Sequence, residues 1–255
     1  MGWLTSTVVA RFAKMRNNVA IKNLEIIHGN NNAYNRPELL KKFWRNIGYN
    51  IADFPRLKSI KINDFDNLFN QFPDSQYIFL TPHLGQWELS ASFLTKGRLS
   101  YNVFVRGDNN PYIANYLRKI RHHYKAEQNN GYYNKSESVA GLKDSIKNKK
   151  ILFFLFDHKL NTGIDFQLFG EQCKAMTTPF DISVKYKLPI YFVSFIRNPD
   201  LVSFTAHIKL FNVADYGNDS FKLMRAVNDK LEQCVRENPE QWLLFHRRFP
   251  KEIYN

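Results

Sequence analysis

Residues 77–88 read YIFLTPHLGQWE: an apolar run, a threonine and a proline, then a polar cluster that holds a histidine and a glutamate. A short run of Ile, Phe and Tyr bounded by proline reads as a buried strand. The residues that follow, WELSASFLTKG at 87–97, carry helical spacing. The stretch is therefore a strand handing over to a helix, with His83 and Glu88 in the hand-over. On a continuous helix five residues advance roughly 500°, leaving the two side chains about 140° apart. Their cooperation requires a turn between them, and Gly85 permits one because it has no Cβ.

The same alternation continues along the chain. NVFV (102–105), ILFFLF (151–156), IYFVSF (190–195) and VSFTAHIKLF (202–211) read as strands. NPYIANYLRKIRHHY (110–124), SESVAGLKDSIKN (136–148), PFDISVKYK (179–187) and FKLMRAVNDKLEQCVRENP (221–239) read as helices. Upstream, RNNVAIKNLEII (16–27) and RPELLKKFWRNIGYNIADF (36–54) place apolar residues three to four apart, with Pro37 in the first turn of the second. The pattern predicts an α/β fold: a mainly parallel central sheet flanked by helices, with a helical N-terminal layer. Open sheets of this kind bind ligands outside the carboxyl ends of their strands. His83 with Glu88, Arg106, and Asp157 with His158 each follow a strand, so three polar clusters are expected to converge.

The chain has 255 residues, enough for one full core, and 36 basic against 23 acidic residues give a net charge of +13. Such an excess points to an anionic partner: nucleic acid, an anionic membrane face, a phosphorylated lipid or an acidic carrier protein. The 22 Phe, 13 Tyr and 4 Trp suggest broad apolar surfaces besides a core. Cys173 and Cys234 are too few for a disulfide framework or a zinc cluster, which favours a reducing compartment. No stretch approaches the ~20 apolar residues of a membrane span. MGWLTSTVVARFAKMR (1–16) reads as an interfacial anchor, a remnant of a longer hydrophobic segment, or a frayed helical end. Residues 1–15 are thus set apart from a domain over 16–255.

A neutral histidine can accept a proton from a hydroxyl, and a carboxylate on its other ring nitrogen fixes the tautomer. His83 as base and Glu88 as that carboxylate fit this chemistry, with the backbone near Gly85 as donor to a developing oxyanion. The plain alternative is a surface histidine and a first-turn glutamate favoured by the helix dipole. His83, Glu88, Asp157 and His158 also include zinc-ligand types, but no ligand pair shares a helical face, and no metal is expected.

Four blocks in order, HLGQWE (83–88), Arg106 with GDNNPYIANYLRKIR (107–121), FDHKLNTGIDFQLFG (156–170) and PEQWLLFHRRF (239–249), resemble one family. It is the late acyltransferases of lipid A biosynthesis, the lauroyl and myristoyl class, within the wider glycerolipid acyltransferase superfamily. The resemblance spans about Arg16 to Phe249. It implies a glycerol-3-phosphate acyltransferase-like fold and transfer of a fatty acyl chain from acyl carrier protein to a hydroxyl of a phosphorylated glycolipid, a lipid A precursor. It implies His83 as general base, Glu88 as its partner, and Arg106, Asn110, Arg121 and Asp157 as substrate-binding residues. No cofactor is needed, since a thioester already supplies an activated acyl group. The implied setting is a monomer on the anionic cytoplasmic face of the bacterial inner membrane, with no nucleic acid bound.

Departures from the family pattern are Gln86 for the usual Asn, His158 for a common Gln, and Leu244 where Trp is frequent. The family's N-terminal spanning helix is expected to be mostly missing here. Each site residue also has a plain reading: Arg106 and Arg121 as solvated cations, Asn110 as a helix cap, Asp157 as a turn cap. KKFWRNIGYNI (41–51) and FHRRF (245–249) set aromatics beside cations, which suits either a membrane-facing surface or a core rimmed by charge. Two alternatives to acyl transfer are a basic nucleic-acid-binding protein and a metal-dependent hydrolase.

Overall fold

The structure, a computed structural model, describes residues 14–29, 34–105, 130–134, 136–160 and 162–255. Helices α1 (Lys14–His28), α2 (Arg36–Asp53) and the short α3 (Phe65–Phe69) precede strand β1 (Ile78–Thr81). Then come α4 (Leu89–Lys96), β2 (Tyr101–Phe104), β3 (Gly131–Tyr133), α5 (Ser138–Lys147) and β4 (Ile151–Leu155). A hairpin, β5 (Ile164–Leu168) and β6 (Glu171–Ala175), leads to α6 (Thr178–Tyr186), β7 (Ile190–Arg197), β8 (Phe204–Phe211) and α7 (Ser220–Glu237). The six-stranded sheet has the order β3-β2-β4-β1-β7-β8, and only the β7–β8 pair is antiparallel.

The architecture is the expected α/β one, with a mostly parallel sheet and helices on both faces. The expected helix NPYIANYLRKIRHHY and the segment 1–13 lie outside the described residues. The strands read as unbroken apolar runs because successive residues serve opposite cores. Ile78 and Leu80 face a cluster built with α1, α2, α6 and α7, whereas Tyr77 and Phe79 face one built with α4 and the 57–72 region. The aromatic content goes mainly into these cores: Phe72, Tyr77, Phe79, Phe93 and Tyr191 form one packed set of rings.

Helix α2 is held to the end of β7 by a buried charge. Arg197 donates to Asp53 Oδ2 at 2.7 Å, Asn50 Oδ1 at 2.6 Å and Asn46 Oδ1 at 3.3 Å. The three acceptors recur along one helical face of α2, and the guanidinium lies 4.5 Å from the Phe204 ring centroid. Burial pulls the Arg197 pKa down while Asp53 opposes it. Of the two readings of KKFWRNIGYNI and FHRRF, the core one holds for Phe43, Trp44 and Phe249. Phe43, Trp44, Asn46, Arg248 and Phe249 are buried, so these aromatics belong to the core.

Removing one member of a buried ion pair strands the other. Arg197→Met should lower the unfolding free energy by about 3 kcal/mol in urea titrations, because Asp53 keeps as partners the half-exposed Arg56 and a long 3.5 Å contact from Gln86. Arg197→Met combined with Asp53→Leu should recover part of that loss.

Candidate active site

The register of the two central strands builds the site. β1 and β4 run parallel with Thr81 opposite Leu155. Two residues further along each chain stand His83 and Asp157, so strand parity carries both side chains out on the same face at the same level. His83 Nδ1 lies 2.7 Å from Asp157 Oδ1, and the His83 backbone N–H donates to both carboxylate oxygens at 3.0 Å. The Trp242 indole donates to Asp157 Oδ2 at 2.9 Å.

Asp157 is 3% exposed. Burial works against its charge, yet the adjacent His83 ring, the indole and the backbone N–H hold the carboxyl below the usual carboxylate range. An ionised carboxylate only accepts hydrogen bonds. The Nδ1 of neutral His83 therefore carries the proton, and Nε2 carries the lone pair. The His83 side chain is 21% exposed, against 2% for that of Asp157, so the imidazole meets solvent while the carboxylate does not.

The carboxylate on Nδ1 is thus Asp157, and the assignment of Glu88 to that position is corrected. The reason is the turn. Gly85 adopts φ +64°, and a Cβ there would sit 1.8 Å from the Phe195 carbonyl oxygen. After this turn the chain enters α4, and Glu88 becomes part of a small, mostly apolar pocket with Trp87, Ala91, Val103, Phe153 and Leu155. Trp87 bridges pocket and base, its ring 5.4 Å from that of His83. Arg106, Asn110 and Arg121 lie outside the described residues. The expected oxyanion donors near Gly85 are committed elsewhere: Gly85 N–H to the Gln241 carbonyl and Gln86 N–H to the Phe195 carbonyl, both at 2.9 Å. The Gln86 amide turns inward to the Asn50 carbonyl at 3.0 Å, supporting the scaffold.

Sequence reasoning missed the C-terminal strap. Leu243 N–H donates to the His83 carbonyl at 3.0 Å, and Leu84 bridges to Trp242. Asn23 of α1 holds the strap from behind, donating to the Leu244 and His246 carbonyls at 2.7 and 2.9 Å. The PEQWLLFHRRF block carried this signal, but only pairing across the fold shows Trp242 on Asp157. His246 ends the strap inside the electrostatic reach of His83, Asp157, His158 and Arg248. Burial first, and then the neighbouring His83, His158 and Arg248 against Asp157, bring its imidazole down to about 4. Among the described residues no group of three or more His, Cys, Asp or Glu side chains could hold a metal ion.

A histidine paired with a buried carboxylate at the carboxyl ends of a mostly parallel sheet, beside an apolar pocket, is consistent with an acyltransferase. The family model of the bacterial lipid A biosynthesis acyltransferases matches residues 2–251, and the chain belongs to that family. Its activity is accordingly acyl transfer in lipid A biosynthesis, in place of the nucleic-acid-binding and hydrolase alternatives. No curated protein matches the chain.

His246 gives a pH signature. An imidazole neutral in the fold but protonated in the unfolded chain makes stability fall as pH drops below 6.5, until the folded group also titrates near 4. Over that window His246→Leu should show a shallower loss of unfolding free energy than the wild type, measured by urea unfolding at pH 7, 5.5 and 4.5.

Proposed function

We propose that the protein transfers a fatty acyl chain from an acyl carrier protein thioester to a hydroxyl of a phosphorylated lipid A precursor. His83 Nε2 accepts the hydroxyl proton as the oxygen attacks the thioester carbonyl. Asp157 stabilises the imidazolium that forms, the C–S bond breaks, and the imidazolium returns the proton to the departing sulfur, so that the carrier's arm leaves as a thiol. The observation that carries this reading is the His83–Asp157 contact beside the pocket lined by Trp87 and Phe153. A net charge of +13 suits two anionic substrates, the acidic carrier and the phosphorylated glycolipid.

Arg106, Asn110 and Arg121 are proposed substrate contacts on the family resemblance alone. Glu88, at the pocket wall, is proposed to bear on the acyl group rather than on Nδ1 of the base. The reaction needs no cofactor, because the thioester is already activated. No helix among the described residues is long and apolar enough to cross a membrane. The proposed setting is the cytoplasmic face of the bacterial inner membrane, reached by attraction of basic residues to anionic headgroups.

The test is incubation with acyl carrier thioesters and a tetra-acylated lipid A precursor, followed by mass analysis of the products. The wild type should add one acyl chain. His83→Ala and Asp157→Asn should each lose ~10²–10⁴-fold of rate while keeping a native melting transition. Full activity of His83→Ala would refute the base assignment. Asp157→Asn losing no more than Glu88→Gln would refute the role of Asp157.

A further inference from the structure

We infer that the outward ridge of α2, continued by residues 56–61, is the surface on which an acidic acyl carrier protein docks. This rests on the transfer reaction proposed above and adds where its donor binds.

The apolar side of α2 is committed to the core. Phe43, Trp44 and Ile47 are buried, and Asn46, Asn50 and Asp53 hold the Arg197 guanidinium. What α2 turns outward is a narrow ridge, Lys42, Arg45, Tyr49, Ala52 and Arg56, at alternating steps of three and four residues. Lys41 flanks the ridge, and Lys58 and Lys61 extend it past the helix; all three are exposed. From Lys41 to Lys61 six basic residues meet one acidic residue, Asp53, which is buried. This short stretch therefore carries +5 of the net +13.

Part of that charge is unmatched within the fold. Lys42 pairs with Glu38 at 2.8 Å and Arg56 with Asp53 at 2.7 Å, whereas Lys41 and Arg45 have no ion-pair partner among the described residues. Like charges four apart on a helix repel. An anionic partner laid along the ridge would relieve that repulsion.

The ridge also stands where a donor is needed. Asn50 donates to the Gly85 carbonyl at 2.7 Å, two residues past His83. Ile62 bridges to Phe204, which is level with Arg197 at the carboxyl end of β7. A carrier seated on α2 is thus separated from the His83 loop by the thickness of one helix, about 10–12 Å, which a flexible thioester arm can cross. A lipid surface fits this face less well. Interfacial helices set an apolar face into the headgroup boundary. Here that face is buried, and of the large apolar side chains in residues 41–61 only Ile51 is exposed, at 44%.

The experiment uses the full chain and three measurements: affinity for a labelled acyl carrier protein by fluorescence anisotropy, sedimentation with anionic phospholipid vesicles, and transfer kinetics with the tetra-acylated acceptor. Lys41→Glu with Arg45→Glu should weaken carrier affinity about tenfold or more and raise KM for the carrier thioester to match, with kcat kept. Lys185→Glu with Lys187→Glu makes the same change of charge before β7, at the amino end of the sheet, and should leave both values unchanged. Vesicle binding should be equal in all three proteins. If melting curves show the first pair unfolded, Lys41→Gln with Arg45→Gln decides, with a smaller loss in the same direction. Wild-type carrier affinity in a folded ridge variant overturns the inference, and a fall in vesicle binding alone would make the ridge a lipid-facing one instead. Either result leaves the transfer reaction intact, whereas a wild type that transfers from no carrier thioester overturns that reaction as well.

Discussion

Asp157 is a buried negative charge, and the site depends on satisfying it. A carboxylate withdrawn from water is tolerated only when fully hydrogen-bonded and paired. Here the donors come from separate parts of the chain: the His83 backbone and ring after β1, and the Trp242 indole from the C-terminal strap. One requirement thus fixes the imidazole's orientation, its tautomer and the docking of the last part of the domain. The carboxylate that pairs with His83 is also a bolt in the structure.

Around this bolt lies a second polar framework. Arg197 joins β7 to Asn46, Asn50 and Asp53 of α2, and Asn50 in turn donates to the Gly85 carbonyl at 2.7 Å. The Gln241 side chain clasps the Arg197 backbone through both its donor and its acceptor. The loop from His83 to Gln86 is therefore held by α2, by β7 and by the strap at once. Its N–H groups at Gly85 and Gln86 are used for anchoring.

Much of the fold was legible in the sequence. Continuous apolar runs marked β1, β4 and β7, and three-to-four spacing marked α1, α2 and α7, because burial on two faces and burial on one face leave different periods. The hairpin β5–β6 went unread: Ile164–Leu168 alternates polar and apolar residues too briefly to stand out, and its partner Glu171–Ala175 is mostly polar. At the site, His83, Gly85 and Asp157 were found from their places after strands. The pairing of Asp157 with His83 was not, since the two lie 74 residues apart and only the β1–β4 register brings them level. Glu88 drew the partner's role by sequence proximity, which a left-handed glycine undoes. Trp242 and Asn23 act through tertiary contacts that no local spacing encodes.

That register also restricts how the gene can vary. Thr81 opposite Leu155 leaves His83 and Asp157 in step only while both strands keep their count. Loss or gain of one codon within β1 or β4 would rotate every later side chain of that strand by half a turn. A change in β1 would swing the imidazole toward the α1–α7 side, and one in β4 would swing the carboxylate there, parting the two groups. Length changes should accumulate in the connecting loops, and the two central strands should keep a constant number of residues across descendants of this chain.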